Sequence, residues 1–336
     1  MSITTSPEVT SAPASTAGSR RRRGATGPWL VALAPVVMFL VLAVATPEVL
    51  SRSGIMSLLV LSAVLGIAAV GQTWAVMIGG IDLSIPATIG MSNVLLPTLY
   101  AKGWGFGQIV LLVLVLSIAI GLANGVLSSL FGLHPLVVSL GVASVVTGGV
   151  LISVDGNTGG DVPDFITSSV SPNGSFLGLG IPAAVVVWVL VAALVIVVER
   201  RTVIGRQIYA LGSNVTAARL ALVRPMLVRV VVYTVGAVCA STAGLLLGGF
   251  SGGASVDIGA PYLFSTITAV VVGGTSLLGG AGGYARTIAG VLVTTGFTTL
   301  LIGFSVGPNM QQVMLGIAIL VLITAYGRDR HVAQRL

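Results

Sequence analysis

Ten apolar runs, most of them long enough to cross a bilayer, leave a chain like this little choice but a bundle of membrane helices. Crossing ~30 Å of hydrocarbon takes about 17–25 helical residues, and the runs lie at 29–46, 55–78, 81–100, 108–131, 133–154, 181–198, 226–250, 264–279, 284–303 and 308–326. Only 7% of the 336 residues are charged and 55% are hydrophobic, a balance that argues against two ordinary soluble domains. The expected fold class is all-α, a polytopic membrane protein of about ten transmembrane helices. The third and eighth runs each abut a glycine pair, and the eighth is short. Either can be a broken or re-entrant helix, which a membrane tolerates only where protein or a water-filled cavity satisfies the freed backbone groups.

Charge placement gives an orientation. Arg20 to Arg23 precede the first run; Arg200, Arg201, Arg206, Arg219, Arg224 and Arg229 surround the loop after the sixth; Arg286 opens the ninth; Arg328, Arg330 and Arg335 follow the tenth. With both termini cytoplasmic, every basic residue except Arg52 and Lys102 falls inside, as the positive-inside rule requires. Glu48, Asp155, Asp161, Asp164 and Asp257 then fall outside, three of them in the longest external loop, about 155–180. Residues 1–27 read as a disordered basic cytoplasmic tail, 28–327 as the transmembrane domain with a cytoplasmic loop at about 200–225, and 328–336 as a second cytoplasmic tail. The arginine run followed by 29–46 and "AVAT" also fits a signal peptide. The net charge of +7 is not spread over a face or interleaved with aromatics, so no nucleic-acid partner is expected. Cys239 is the single cysteine; it reads as a small buried residue, and with two histidines no thiolate-rich metal site can form.

Two stretches stand out. "AVMIGGIDLS" at 75–84 places Asp82 between apolar runs and is echoed by "AVVVGGTSLL" at 269–278, an offset of 194. Glycine-interrupted spans at matching positions of two halves point to a central pathway between repeats. Asp82 has three readings: a helix N-cap, a residue lining a substrate path, or a proton carrier. The second stretch is "RRTVIGRQIYALGSNVTAARLALVRP" at 200–225, where Asn214 is a plausible N-cap ahead of good helix formers. It suits either a solvated basic loop or a docking surface for a soluble partner. Gly236, Ala240, Gly244 and Gly248, like Gly121 and Gly125, recur at four-residue spacing, a pattern that lets helix backbones approach closely in lipid.

"GGIDLS" at 79–84, "HPLVVSLGVASVVTGG" at 134–149, "TVIGRQIYALGSNVTAARL" at 202–220 and "AVVVGGTSLLGGAGG" at 269–283 together resemble the permease subunit of ribose-type monosaccharide ABC importers. Those importers share a superfamily with branched-chain amino-acid permeases. The resemblance runs from about residue 50 to 326. It implies a multi-pass bacterial inner-membrane permease, paired with a second copy or a homologous permease, a cytoplasmic ABC ATPase and an external or periplasmic substrate-binding protein. It also implies that Gly205, Arg206, Asn214, Ala217, Ala218, Arg219 and Leu220 belong to the loop that docks on the ATPase, with coupling carried through 203–222. The acidic external loop and 251–262 become candidate contacts for the binding protein. Pro86, the sequence "AARLAL" at 217–222 and the absence of a carboxylate in "PYLFSTITA" at 261–269 depart from the family pattern; Pro86 suits the first turn of a helix begun near Asp82.

Gln72, Thr73, Asp82, Ser84, Asn93 and Asn124 are the candidate pathway lining, each able instead to make an interhelical hydrogen bond. The only lysine is Lys102, in "YAKGW", so the phosphate-cradling glycine–lysine loop of an ATPase cannot be built here. No cofactor is expected in this chain; ATP and magnesium belong to the partner ATPase. The rival reading is a proton-coupled secondary transporter using Asp82. No histidine-based constellation suggests an enzyme: His134 precedes Pro135 at a helix start and His331 lies near the end.

Overall fold

A computed structural model describes residues 27–333 except 157 and 179, so the expected tail at 1–27 lies almost wholly outside the described residues. Among them every regular element is a helix. Ten helices take the place of the ten apolar runs: α1 (Gly27–Ala45), α2 (Arg52–Met77), α3 (Ile85–Ala101), α4 (Phe106–Leu130), α5 (Pro135–Ser153), α7 (Ala183–Arg201), α10 (Pro225–Ser251), α11 (Ala260–Val272), α12 (Tyr284–Gly303) and α13 (Pro308–Ala333). The others sit in the two long connections: α6 (Asp164–Val170) in one, α8 (Val203–Ser213) and α9 (Val215–Leu220) in the other. Among the described residues, α2, α4, α5, α7, α10 and α12 are long and apolar enough to cross a membrane unaided. The chain is a multi-pass membrane protein.

The two doubtful runs are the two short helices. α3 has 17 residues and starts only at Ile85, because 78–84 is unwound. α11 has 13 residues and lies earlier than the expected 264–279, beginning at Ala260 behind a 3-10 turn at Val256–Gly259 and ending at Val272. The cause of that shift is Gly273–Gly283, where six glycines cannot continue a helix against the entropy they lose in one. α13 continues to Ala333, past the expected end at 326 and into the expected tail.

α10 forms the centre, packed along α4, α2 and α3. Lipid tails are as apolar as leucine, so what holds such helices together is close van der Waals contact. The small residues supply it. A Cβ on Gly71 of α2 would stand 2.5 Å from the Cα of Gly236, and one on Gly125 of α4 would stand 2.5 Å from the Cα of Val230. Gly121 lies equally hard against Thr234 and Gly244 against Ile89 and Ser92, while Gly248 faces the Asn93 amide more loosely. Cys239 is buried on the same helix. The bundle is inside-out relative to a soluble protein: Val189, Leu190 and Leu194 of α7 and Leu111 and Val115 of α4 are exposed, while Ser62, Gln72 and Thr73 of α2 are buried.

Helix direction alternates, so the ends differ in charge. One end carries Arg200, Arg201, Arg206, Arg219, Arg224, Arg229 and Arg286; Arg229 there donates to the Ser128 carbonyl at the end of α4. The other carries Arg52, Lys102 and the acids of 155–164. At that second end α6 closes over α10, with Ile166 and Val170 against Gly249.

Candidate functional site

Two glycine breaks meet at the basic end. α2 stops in a Schellman motif: the Gly80 N–H donates to the Ala75 carbonyl (2.8 Å), the Gly79 N–H donates to that of Val76 (2.9 Å), and Gly79 holds φ of 79°. α11 stops the same way, with Thr275 N–H to Val270 (3.1 Å), Gly274 N–H to Val271 (2.8 Å) and Gly274 at φ 77°. The motif needs one left-handed residue just past the helix, a place that glycine fills without a Cβ penalty. The geometric match therefore pairs Gly79 with Gly274, one residue out of register with the sequence echo, because the first glycine of one pair and the second of the other take that place.

The chain turning back from the first break is held by side chains of neighbouring helices. Asp82 Oδ1 accepts from the Ser84 N–H (2.9 Å) and the Ser84 hydroxyl (2.6 Å), and Asn124 Nδ2 of α4 donates to Ser84 Oγ (2.8 Å). Ser139 of α5 accepts from the Leu83 N–H at 3.0 Å. Helix α3 then starts, with Pro86 in its first turn and Ser84 at its N-cap. The N-capping reading of Asp82 thus takes a displaced form: the carboxylate orders the turn ahead of the helix, where Ser84 occupies the cap itself.

The other expected pathway residues stand apart from that network. Thr73 Oγ1 lies 2.6 Å from the Ala69 carbonyl and 3.0 Å from Thr287 Oγ1 of α12. Asn93 Oδ1 accepts from the Ser255 N–H at 2.9 Å, near the opposite end. Gln72 is wholly buried, and among the described residues neither polar atom of its amide has a partner. All six residues are at most 1% exposed, so this conformation seals them within one chain. An apolar cleft of about 1070 Å³ between α3, α4 and α5, polar only at Thr98, Lys102 and Ser153, contains none of them.

The second break is fastened to the first. The Gly280 N–H donates to the Met77 carbonyl at 2.9 Å, supplying a partner to the C-terminus of α2. Glu199, near the end of α7, receives the Trp74 indole N–H at 2.8 Å and the Tyr284 N–H at 3.0 Å on both oxygens. Tyr284 opens α12, whose N-cap position is a glycine with no side chain to offer; the Glu199 carboxylate supplies the anionic acceptor a helix N-terminus favours. The Tyr284 hydroxyl donates to the Gly66 carbonyl (2.7 Å) and accepts from Trp188 (2.9 Å), so α2, α7 and α12 are tied over several turns.

α8 rests on this junction. Gly212 approaches the Met77 carbonyl and the Gly280 N–H so closely that a side chain there would collide with both. Tyr209 donates to the Gly282 carbonyl at 2.9 Å. Burial first, and then the neighbouring Glu199 charge, push that phenol above its ordinary range, which keeps the donor proton in place.

The seven expected docking residues divide between two faces. Arg206, Ala217, Arg219 and Leu220 point outward, Leu220 at 83% exposure. Gly205 and Ala218 are buried, Gly205 under the carbonyl of Glu199. Asn214 is the α9 N-cap expected from the sequence, its Oδ1 accepting from the Ala217 N–H at 3.0 Å. Leu222, 89% exposed, joins the outer face. Sequence reasoning missed Glu199, Trp74, Tyr284 and Ser139; Glu199 in particular reads as one more charge beside Arg200 and Arg201.

Comparison with known proteins adds an independent line. Residues 54–323 match the family described as the branched-chain amino acid transport system / permease component. The chain is 29% identical to the ribose import permease protein RbsC of Bacillus subtilis over 287 residues, covering 85% of this chain and 88% of that one. It is 31% identical to the autoinducer 2 import system permease protein LsrD of Klebsiella pneumoniae over 272 residues, 77% and 78% of the two chains. Against the galactofuranose transporter permease protein YtfT of Escherichia coli the figure is 30% over 336 residues, 93% of each. No solved structure matches the chain.

Proposed function

The chain belongs to the branched-chain amino acid transport system / permease component family, and on that premise we propose that it is the membrane path for a monosaccharide or similar small polar solute in an ABC importer. As a permease it is not an enzyme, and ATP hydrolysis lies in a separate subunit. The sugar-class substrate is supported by relatives named for ribose and galactofuranose import.

The observation that carries the reading is the outer face of α8 and α9. Leu220 and Leu222 are almost fully exposed on the same connection as the exposed Arg206 and Arg219, at the basic end rather than in a membrane-spanning helix. Apolar side chains held out into water on a cationic connection suit contact with a soluble partner. The inner face of the same element rests on both breaks, so a push on the loop reaches the membrane helices. The positive-inside rule makes the basic end cytoplasmic, the side on which ATP is available. The opposite end, with α6 and 251–262, is the proposed seat of a binding protein that delivers the solute. We assign Gln72, Thr73, Asp82, Ser84, Asn93 and Asn124 to the polar interior that opens during transport, alone or against a second permease.

Uptake of radiolabelled ribose, galactose and arabinose by cells expressing the whole transport system, with and without this chain, tests the reading. Import of one of them that requires the chain and survives a protonophore is the expected result; chain-independent uptake of all three, alongside chain-dependent uptake of a branched-chain amino acid, would overturn the sugar assignment.

A further inference from the structure

Glu199 is a buried carboxylate held by donors from two other helices. It is 5% exposed, and its three hydrogen bonds run to an indole and a backbone amide rather than to a cation. A buried carboxylate of this kind is tolerated only while its donors stay in place, because stripping one leaves an unpaired buried acceptor. Each donor comes from a different helix: Trp74 stands one turn before the end of α2, and Tyr284 is the first residue of α12. Glu199 itself lies three residues before the cap that starts α8, and the corner between them is tight, since Gly205 sits under the Glu199 carbonyl.

We propose that Glu199 is a positioning residue that locks the α7–α8 corner, the end of α2 and the start of α12 into one body, so that displacement of α8 is delivered to both glycine breaks together. Separating α7 from either neighbour costs Glu199 a donor, so small motions of α8 carry α2 and α12 along. The flexible elements are then the breaks themselves, 78–84 and 273–283, where the chain has no helical ladder to resist bending. Met77 is where the load is transferred: its carbonyl accepts from Gly280 and lies against Gly212. This inference rests on the proposal that an ATPase pushes on α8 and α9.

Two measurements on Glu199→Gln separate the inference from that proposal. Glutamine keeps the size and one carbonyl acceptor but turns an amide N–H toward Tyr284. In the detergent-purified permease alone, hydrogen exchange is expected to rise at both breaks together and to stay unchanged in α6 and the outer half of α10. In membranes carrying the permease with its ATPase, ATP hydrolysis is expected to persist while solute imported per ATP falls at least about five-fold, the low end of ordinary coupling between sites. Trp74→Phe, which removes one donor and leaves the charge, is expected to act in the same direction. Exchange that stays flat at the breaks, rises at only one, or rises across the whole chain would overturn the positioning role, as would an unchanged transport-to-ATP ratio. If the unmodified chain imports nothing on ATP, the proposed function fails, and the exchange measurement still decides whether Glu199 holds the two breaks as one body.

Discussion

At the scale of single residues, the polar groups that a bilayer makes costly are the ones that organise the fold. Asp82 orders an unwound turn by taking two donors from Ser84. Asp82→Ala leaves those donors unpaired and is expected to cost about 1–3 kcal/mol, read as a lower thermal midpoint in detergent; Asp82→Asn, which keeps an acceptor, should lose clearly less. Gly79 gives a separate test, because a Cβ there meets nothing within 4 Å and only its φ of 79° resists substitution. Gly79→Ala should therefore cost about 1–2 kcal/mol of backbone strain. A larger loss in the same thermal assay would mean that the break does more than turn the chain. Asp82 and the glycine pair were conspicuous in the sequence because charge is so rare there. Glu199 was not, because its role depends on Trp74 and Tyr284, 125 and 85 residues away along the chain, and local pattern carries no trace of such pairing.

At the scale of elements, hydropathy located the spans but not their ends. The apolar runs of α2, α4, α5, α7, α10 and α12 fell within a few residues of the helices, since length and apolarity suffice for a helix that crosses in one piece. α3 and α11 were displaced because backbone turns, not hydropathy, set where a broken helix begins, and only Schellman geometry distinguishes which glycine of a pair ends it. The small-residue stripe of α10 was legible, and Gly71→Val is expected to drive α2 off Gly236 and lower the midpoint sharply, whereas Gly148→Ala, inside α5 with nothing within 4 Å of its added methyl, should hold or slightly raise it, since alanine loses less backbone entropy in a helix. The 200–225 loop was legible as an element, with Asn214 as its cap, but not as two faces. Arg219→Glu and Leu220→Asp, both outward, should abolish ATP-driven uptake while shifting stability by no more than about 0.5 kcal/mol; normal uptake by both would remove the outer face from the mechanism.

At the scale of the whole molecule, the bundle is a set of membrane helices whose two irregular points converge under one polar element. α10 packs along α2, α3 and α4, and the proposed bending points, 78–84 and 273–283, lie against α8. That layout suits a permease whose ATP hydrolysis lies in a separate subunit. The decisive measurement is purification of the tagged chain from its own membranes in mild detergent, with assay of vanadate-sensitive ATP hydrolysis in the eluate. The account predicts an ATPase that co-purifies in fixed proportion and is lost from the Arg219→Glu, Leu220→Asp double variant. A chain that purifies alone, and whose uptake follows the proton gradient and not ATP, would contradict it.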